Sequence, residues 1–340
     1  MASAKPHYET PDKEGAPTVA HDSSYVLAHL SDPHLSSLES VKLHQLLSKR
    51  VLGYLSWKHH RRAEHRREVL DVMVRDLSET RPDHIVITGD LTHLGLPSEF
   101  QQVSQWLQSV GRPTRLTLVP GNHDAYVRAP YHRTLKLLVP YLISDSLTVS
   151  QDQDADSSMF PSLRIRGPLA LIGLSSAYPS PPFFATGRIG KPQLHALEGL
   201  LDELGRDELI RVVLVHHPPV ANTVRWRKRL IDSRDLTALL LHRGVELVLH
   251  GHAHRSTWKT LQTRHGNIPV IGVPSASGIG LKPEYRAQYH LYRFQRHGEG
   301  WALRISVRGF DINKQAFVHE REHTLTLPWS RSARPSSRSA

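Results

Sequence analysis

Five short polar phrases, each directly after a run of apolar residues, constrain this chain more than any other feature of its sequence. The runs are rich in Val, Ile and Leu and stop at a polar residue or a glycine, which is typical of buried β-strands. They span residues 25–30, 84–88, 116–120, 212–215 and 245–249. We therefore expect the polar phrases at the carboxyl ends of strands, where α/β folds collect their functional side chains.

The phrases carry seven side chains of the kinds that bind metal ions. These are Asp32, His34, Asp90, Asn122, His216, His252 and His254. The first two and the last two are spaced two residues apart, so in extended backbone both members of each pair face the same way. A glycine stands directly before Asp90, Asn122 and His252. There it lets the chain turn sharply off a strand and leaves room for an ion beside the backbone.

The donor types indicate which ions to expect. Imidazole, carboxylate and amide oxygen suit divalent ions such as Mn, Fe, Zn, Co or Ni. The chain has no cysteine, so a thiolate zinc site is excluded. Two carboxylates against two divalent cations leave a surplus of positive charge. That surplus can bind a phosphate oxyanion and lower the pKa of a bridging water until hydroxide attacks near neutral pH.

The five phrases resemble the motifs of the calcineurin-like metallophosphoesterase superfamily, over roughly residues 25 to 310. By position, the resemblance implies a first ion held by Asp32, His34 and His254. It implies a second ion held by Asn122, His216 and His252. Asp90 would then bridge the two ions. His123 would stand beside the leaving group as a proton donor or a stabiliser of the transition state.

Two neighbours of these residues are expected to play supporting parts. His216 and His217 are adjacent, so in a strand they point to opposite faces. The family ligand lies two positions before the proline Pro218, which selects His216 and leaves His217 to support a ligand or line the cleft. Asp124 is expected to accept local backbone hydrogen bonds and not to bind an ion.

The resemblance also indicates a branch of the superfamily. Phosphoprotein phosphatases carry an Asp three residues after the bridging Asp, followed by Arg-Gly. This chain has His93 and then Leu94-Gly95 at those places. The pattern is closer to the bacterial phosphodiesterase branch, which includes cyclic-nucleotide and glycerophosphodiester hydrolases. The resemblance therefore implies a phosphodiesterase that uses a metal-bridging hydroxide as its nucleophile and a phosphoester as its substrate.

Two alternatives remain open. The first is a membrane-associated pyrophosphatase of a lipid-linked nucleotide, similar to the UDP-diacylglucosamine hydrolases of the same superfamily, which place a helical, basic and apolar insertion over the metals. The second is a scaffold without catalysis, which the complete set of ligands disfavours.

Residues 41–67, called the insertion below, separate the first two phrases and could form such a cover. From Lys49 to Arg67 the segment holds seven Lys or Arg against one Glu, in a chain of net charge +11. One interpretation is a helix packed on the core, followed by a solvated basic face. The other is a lip that meets a polyanionic substrate or an anionic membrane. The side chains expected on that lip are Arg61, Arg62, Arg66, Arg67 and Trp57. No nucleic-acid-binding module is recognised, so we expect no nucleic-acid partner.

Apolar periodicity predicts the remaining architecture. Helices are expected at 64–79, 98–110, 192–204 and 230–243, and further strands at 268–273, 289–295 and 301–310. Helices outside two packed sheets make a four-layer αββα sandwich of two mixed β-sheets, which is the α/β fold expected here. It is also the fold that the resemblance implies.

One domain is expected at 25–328, with disordered polar tails at 1–24 and 329–340. No apolar run approaches the ~20 residues that cross a bilayer, and the N-terminus lacks the apolar core of a secretory signal. We therefore expect a cytoplasmic protein, with the insertion as a candidate contact to the inner face of the membrane.

Overall fold

The computed structural model describes most of the chain between Ser24 and Leu327. The described residues are 24–35, 37–38, 41–46, 49–127, 133–145, 159–205, 208–263, 266–280, 282–298 and 300–327. The tails expected at 1–24 and 329–340 lie outside them, apart from Ser24. Among the described residues, no helix combines the length and the apolar character that crossing a membrane requires.

The described part of the chain holds twelve strands in two sheets. They are β1 (Tyr25–Leu30), β2 (His84–Ile87), β3 (Leu116–Leu118), β4 (Ser162–Arg166), β5 (Leu169–Leu174), β6 (Ile210–Val215), β7 (Leu247–His250), β8 (Thr257–Thr263), β9 (Gly266–Gly272), β10 (Gln288–His297), β11 (Gly300–Asp311) and β12 (Ala316–Thr326). One sheet has the order β12-β11-β10-β1-β2-β3 and the other β4-β5-β6-β7-β9-β8. Both are mixed, because β1 to β3 and β5-β6-β7-β9 pair in parallel whereas the other neighbours are antiparallel.

Helices cover the outer faces of the sheets. The helices are α1 (Arg50–Ser56), α2 (Arg62–Glu64), α3 (Arg67–Thr80), α4 (Pro97–Val110), α5 (Val139–Leu142), α6 (Lys191–Leu204) and α7 (Ser233–Arg243). In β6, Val212 and Leu214 belong to the core that includes the first sheet, whereas Val213 and Val215 pack with α6 and α7. Each fully buried side chain of this size contributes about 1.5–3 kcal/mol. Burial on both faces explains the near-continuous apolar strands and confirms the four-layer αββα sandwich.

Several element boundaries differ from the sequence prediction. The helix predicted at 64–79 begins at Arg67, because His65 leaves the helix and forms an isolated β-bridge with Gly278. The helix predicted at 230–243 begins at Ser233, because Leu230 pairs with Gly187. Strands β4, β5, β8 and β12 were not predicted. Three of them are edge strands, whose many polar residues hide the apolar signal of a buried strand.

The insertion forms α1, a π-helical turn at Trp57–Arg61 and α2. Trp57, expected on the lip, is instead buried in a small core with Leu38, Leu46, Leu94 and Leu96. It therefore attaches the insertion to the domain and is not a surface contact.

The insertion has a separate exposed face. Val51, Leu52 and Leu55 are 44, 40 and 45 % exposed. Arg62, Arg66 and Arg67 are exposed, whereas the side chain of Arg61 lies outside the described part. The insertion therefore has residues that pack on the domain and other residues, apolar or basic, that are exposed.

Candidate metal centre

Five of the seven predicted ligands have left-handed backbone. The φ angles are 52° at Asp32, 41° at His34, 55° at Asp90, 65° at His252 and 51° at His254. Residues other than glycine avoid this region, at a cost of about 1–2 kcal/mol each. Such strain persists only where the surrounding structure fixes it, and it concentrates at functional sites. At each of these strand ends the chain turns its side chain toward a common cleft.

Backbone hydrogen bonds between the strand ends hold these turns. The N–H of Asp32 donates to the carbonyl of Gly89 at 2.9 Å, and that of His34 to the carbonyl of Asp90 at 3.1 Å. From the second sheet, the N–H of His252 donates to Oδ2 of Asp32 at 3.0 Å. The site therefore forms where the carboxyl ends of the two sheets meet.

Glycine is needed where the loops approach most closely. Gly89 has a φ of 92°, which glycine adopts without strain. A Cβ at Gly121 would collide with the carboxylate and the backbone nitrogen of Asp90. The close approach expected at these glycines is present, and at Gly121 the Asp90 carboxylate lies directly beside the backbone.

The three ligands predicted for the first ion, Asp32, His34 and His254, lie together. Nε2 of His254 is 3.1 Å from Oδ1 of Asp32 and 3.4 Å from Nε2 of His34. Oδ1 of Asp32 is buried, and no described residue donates a hydrogen bond to it. A buried carboxylate oxygen without a hydrogen bond is costly, and a cation beside it removes that cost.

The three ligands predicted for the second ion, Asn122, His216 and His252, also lie together. Nε2 of His216 is 3.2 Å from Oδ1 of Asn122 and 3.2 Å from Nδ1 of His252. Two nitrogens and an amide oxygen thus converge, and all three residues are buried. This donor set suits a divalent transition metal.

Asp90 joins the two groups. Its Oδ2 lies 3.9 Å from Nε2 of His34 in the first group and 3.3 Å from Nε2 of His216 in the second. Its Oδ1 accepts the backbone N–H of His123 at 2.8 Å, which fixes the carboxylate. The structure therefore brings all seven predicted ligands into one cleft, in the two groups that the family resemblance implies.

In three of the four predicted imidazole ligands, the ring nitrogen that faces away from the cleft is anchored to a backbone carbonyl. Nδ1 of His34 lies 3.0 Å from the carbonyl of Thr92, and Nδ1 of His216 lies 2.6 Å from that of Thr88. Nε2 of His252 lies 2.9 Å from the carbonyl of Lys228. A carbonyl only accepts, so these nitrogens carry the hydrogen in the neutral ring. The nitrogen that faces the cleft then offers its lone pair to an ion.

His217 lacks this arrangement. One of its ring nitrogens lies within 4.8 Å of those of His216 and His252. However, Nε2 donates to the carbonyl of Ala185 at 3.3 Å, and Nδ1 is 2.7 Å from Oγ of Ser176. With both nitrogens held by hydrogen bonds, His217 supports the cleft wall, in line with the expectation for it.

His123 and Asp124 lie on the loop after β3. Nδ1 of His123 is 2.5 Å from the carbonyl of His93, and its ring stacks on Tyr126 at 5.5 Å. Asp124 accepts backbone N–H groups of Leu91, Thr92 and Gly121. It therefore ties the loop after β2 to the loop after β3, as expected of a structural carboxylate.

The pKa values of the histidines in the cleft are shifted in different directions. Burial lowers the pKa of both His34 and His252 far below the ordinary value, so these rings are neutral and able to bind metal. Burial also acts to lower the pKa of His216, but the charge and hydrogen bond of Asp90 outweigh it and raise the pKa to about 9. Burial and the charge of Asp90 raise the pKa of Asp124 to about 7. The buried charge of Asp90 therefore favours positive charge beside it, either a proton on His216 or a cation.

His65 also lies at the cleft, although the sequence did not predict it. The ring of His65, at the end of the insertion, lies 4.6 Å from that of His34 and 5.6 Å from that of His254. No phrase surrounds this residue, and only its contact with the loop after β9 brings it to the cleft. No local signal in the sequence could have identified it.

A two-sheet sandwich with these donors at its strand ends defines a class of metal-binding α/β enzymes. The model of the calcineurin-like phosphoesterase family matches residues 25–256, and the chain belongs to that family. It is accordingly a hydrolase that acts on phosphoester bonds, and the resemblance drawn from the five phrases is confirmed.

Similar proteins include bacterial phosphodiesterases. A probable cyclic nucleotide phosphodiesterase of Synechococcus sp. is 26% identical over 68% of this chain and 78% of its own length. A 3',5'-cyclic-nucleotide phosphodiesterase of Nostoc sp. is 25% identical over 85% of this chain and 86% of its own. Among solved structures, a dimetal phosphatase from Danio rerio superposes with a TM-score of 0.56 at 14% identity, covering 89% of this chain and 98% of that one. This last similarity supports the fold alone.

Proposed function

We propose that this protein is a phosphodiesterase that works with two divalent metal ions. The observation that carries the proposal is the position of Asp90, with one carboxylate oxygen 3.9 Å from His34 and 3.3 Å from His216. That oxygen serves two groups of donors at once, which suits two ions and not one. The similar proteins from Synechococcus and Nostoc, both named as cyclic-nucleotide phosphodiesterases, support a phosphodiester as the substrate.

The side chains have separate tasks in this mechanism. Asp32, His34 and His254 would hold one ion, Asn122, His216 and His252 the other, and Asp90 both. Two bound divalent ions supply positive charge to bind the phosphate and lower the pKa of water to near neutral. Donation from Nδ1 of His123 to the carbonyl of His93 orients the ring. In the protonated ring Nε2 carries a hydrogen as well, and we assign it to the leaving oxygen. It would give that proton to the leaving oxygen as hydroxide bonds to phosphorus and the ester bond breaks, which leaves His123 neutral.

The test is activity of the Mn-loaded protein on a panel of phosphoesters. The panel contains 3',5'-cyclic AMP and GMP, a glycerophosphodiester, bis(p-nitrophenyl) phosphate and the matching monoester. We expect the diesters to react faster than the monoester and chelation to abolish the reaction. A monoester preferred over every diester would overturn the assignment, and no activity on any phosphoester would support a scaffold.

A second candidate is a pyrophosphatase of a lipid-linked nucleotide, favoured by the exposed apolar face of α1. Leu55 lies four residues after Val51 and three after Leu52, so it neighbours both on the helix surface, and all three are exposed. The insertion that carries them is fixed beside the cleft, because Arg50 donates to the carbonyls of Leu94 and Gly95. This face could hold acyl chains of a substrate or rest on a bilayer.

A triple variant separates the two candidates. Changing Val51, Leu52 and Leu55 to Ser should leave hydrolysis of bis(p-nitrophenyl) phosphate unchanged. If the substrate is lipid-linked, the change should weaken binding to anionic vesicles and raise KM for a lipid-linked pyrophosphate. The matched control is Leu241→Ser, which changes an equally exposed Leu on α7. Unchanged vesicle binding in the triple variant leaves the soluble diester as the substrate.

A further inference from the structure

His65 is placed by backbone pairing on both sides and not by a loose loop. The N–H of Arg66 donates to the carbonyl of Ser277 at 2.9 Å, and the N–H of Ile279 donates to the carbonyl of Glu64 at 3.0 Å. Between these bonds, His65 forms a bridge with Gly278. The chain interrupts the helical run between α2 and α3 at this point, with extended backbone at Arg66. The interruption turns the imidazole away from solvent and toward the cleft.

Two serines hold one nitrogen of the ring. Nδ1 of His65 is 2.8 Å from Oγ of Ser277 and 3.2 Å from Oγ of Ser275. Ser275 has a single hydroxyl hydrogen and donates it to the carbonyl of Asp32 at 2.6 Å. Toward His65 it can therefore only accept, so Nδ1 carries the hydrogen of the neutral ring. Nε2 is then the nitrogen with the lone pair, as in His34 and His216.

The ring also has the right neighbours. Ring nitrogens of His34, His65 and His254 all lie within 4.8 Å of one another. Within this group, Nε2 of His254 lies 3.1 Å from Oδ1 of Asp32. Donors around one ion at about 2.0–2.2 Å are at most about twice that distance apart. A small inward shift of His65 on metal binding would satisfy this limit.

We propose that His65 is an additional ligand of the first metal ion, supplied by the insertion. It adds a third imidazole to His34 and His254, and the Ser277–Ser275 pair orients it through the carbonyl of Asp32. The proposal rests on the two-metal site of the proposed function, but the metal titration that tests it needs no substrate. It also gives the insertion a defined purpose, because a segment from outside the five phrases then completes the coordination of an ion.

The experiment is a metal titration of the chelator-treated protein with Mn(II) by calorimetry and with Co(II) by visible absorption. We expect His65→Ala to weaken one of two binding steps by well over tenfold and to change the Co(II) spectrum. Ser277→Ala should weaken the same step by about tenfold, the usual effect of losing a partner behind a ligand. Exposed His59 lies on the same insertion, and His59→Ala is the matched control, expected to bind both ions as the wild type does. Added imidazole should restore the affinity of His65→Ala.

The outcomes are separable. Two ions bound at wild-type affinity by both His65→Ala and Ser277→Ala, with an unchanged Co(II) spectrum, would overturn the assignment of His65. If those variants only raised KM, His65 would contact the substrate and not the ion, which also overturns it. Wild-type protein that bound no ion would instead refute the two-metal site itself. Ser277→Ala keeps the test valid if His65→Ala proves unstable in a thermal melt.

Discussion

Nε2 of His216 lies 3.3 Å from Oδ2 of Asp90, although the two residues follow strands of different sheets. Asp90 comes after β2 and His216 after β6, and both are buried. This contact is where the two halves of the sandwich share one site. The relation between the sheets therefore determines the geometry of the metal centre.

Asp90→Asn should remove activity more completely than Asp32→Asn. The reason is that Asp90 faces both donor groups, whereas Asp32 faces only the first. Elemental analysis after dialysis measures the bound ions, and we expect Asp90→Asn to lose both and Asp32→Asn to lose chiefly one. An Asp90→Asn protein with two ions and the full rate would rule out the bridging role.

His123→Ala should keep both ions and lower turnover by ~10²–10⁴, the usual range for a positioned acid–base group. Its ring is held by the carbonyl of His93 and is outside both donor groups. The loss should be smaller for p-nitrophenyl esters, whose leaving group hardly needs a proton. Equal losses for good and poor leaving groups would exclude proton donation.

Gly121→Ala should weaken metal binding without removing any ligand. The new Cβ would press on the carboxylate and the backbone nitrogen of Asp90, and such overpacking costs about 1–3 kcal/mol. Calorimetric titration with Mn(II) measures the effect. The control is Gly199→Ala in α6, where nothing lies within 4 Å of the added carbon and a helical glycine is replaced favourably. Equal metal affinities in the two variants would contradict the close approach.

Acid should destabilise the metal-free protein through histidines outside the metal centre. Burial lowers the pKa of both His84 and His290 to about 3, whereas in the unfolded chain these rings protonate near 6.5. Between these pH values the unfolded state binds more protons than the folded state. The contribution of the two neutral histidines to the free energy of unfolding is therefore complete above pH 6.5 and is lost progressively as pH falls toward 3.

Thermal melts at pH 7.5 and 5 in the presence of chelator check this. The double variant His84→Gln/His290→Gln should show a smaller fall in Tm than the wild type. Exposed His195→Gln should show the same fall as the wild type. If the double variant lost as much Tm as the wild type, these two histidines would not be the source of the acid sensitivity.

The sequence predicted the fold and most of the site because each ligand follows a buried strand. Where a buried strand ends at a glycine and then a ligand, such as Gly89 and Asp90 after β2, adjacent residues in the sequence are enough to predict the site. The edge strands β4, β8 and β12 carry too many polar residues for such a signal. Trp57 was assigned to the surface because its burial depends on Leu94 and Leu96, far along the chain. His65 was missed for the same reason, since its partners Ser275 and Ser277 belong to a loop more than two hundred residues away.

The most direct test of the central claim is a titration of metal-free protein with Mn(II), with bound ions and hydrolysis of bis(p-nitrophenyl) phosphate followed together. The two donor groups on either side of Asp90 predict two bound ions per chain. Hydrolysis should be negligible without metal and should reach its full rate only as the second ion binds. Full activity with one ion per chain, or with none, would contradict the two-metal mechanism.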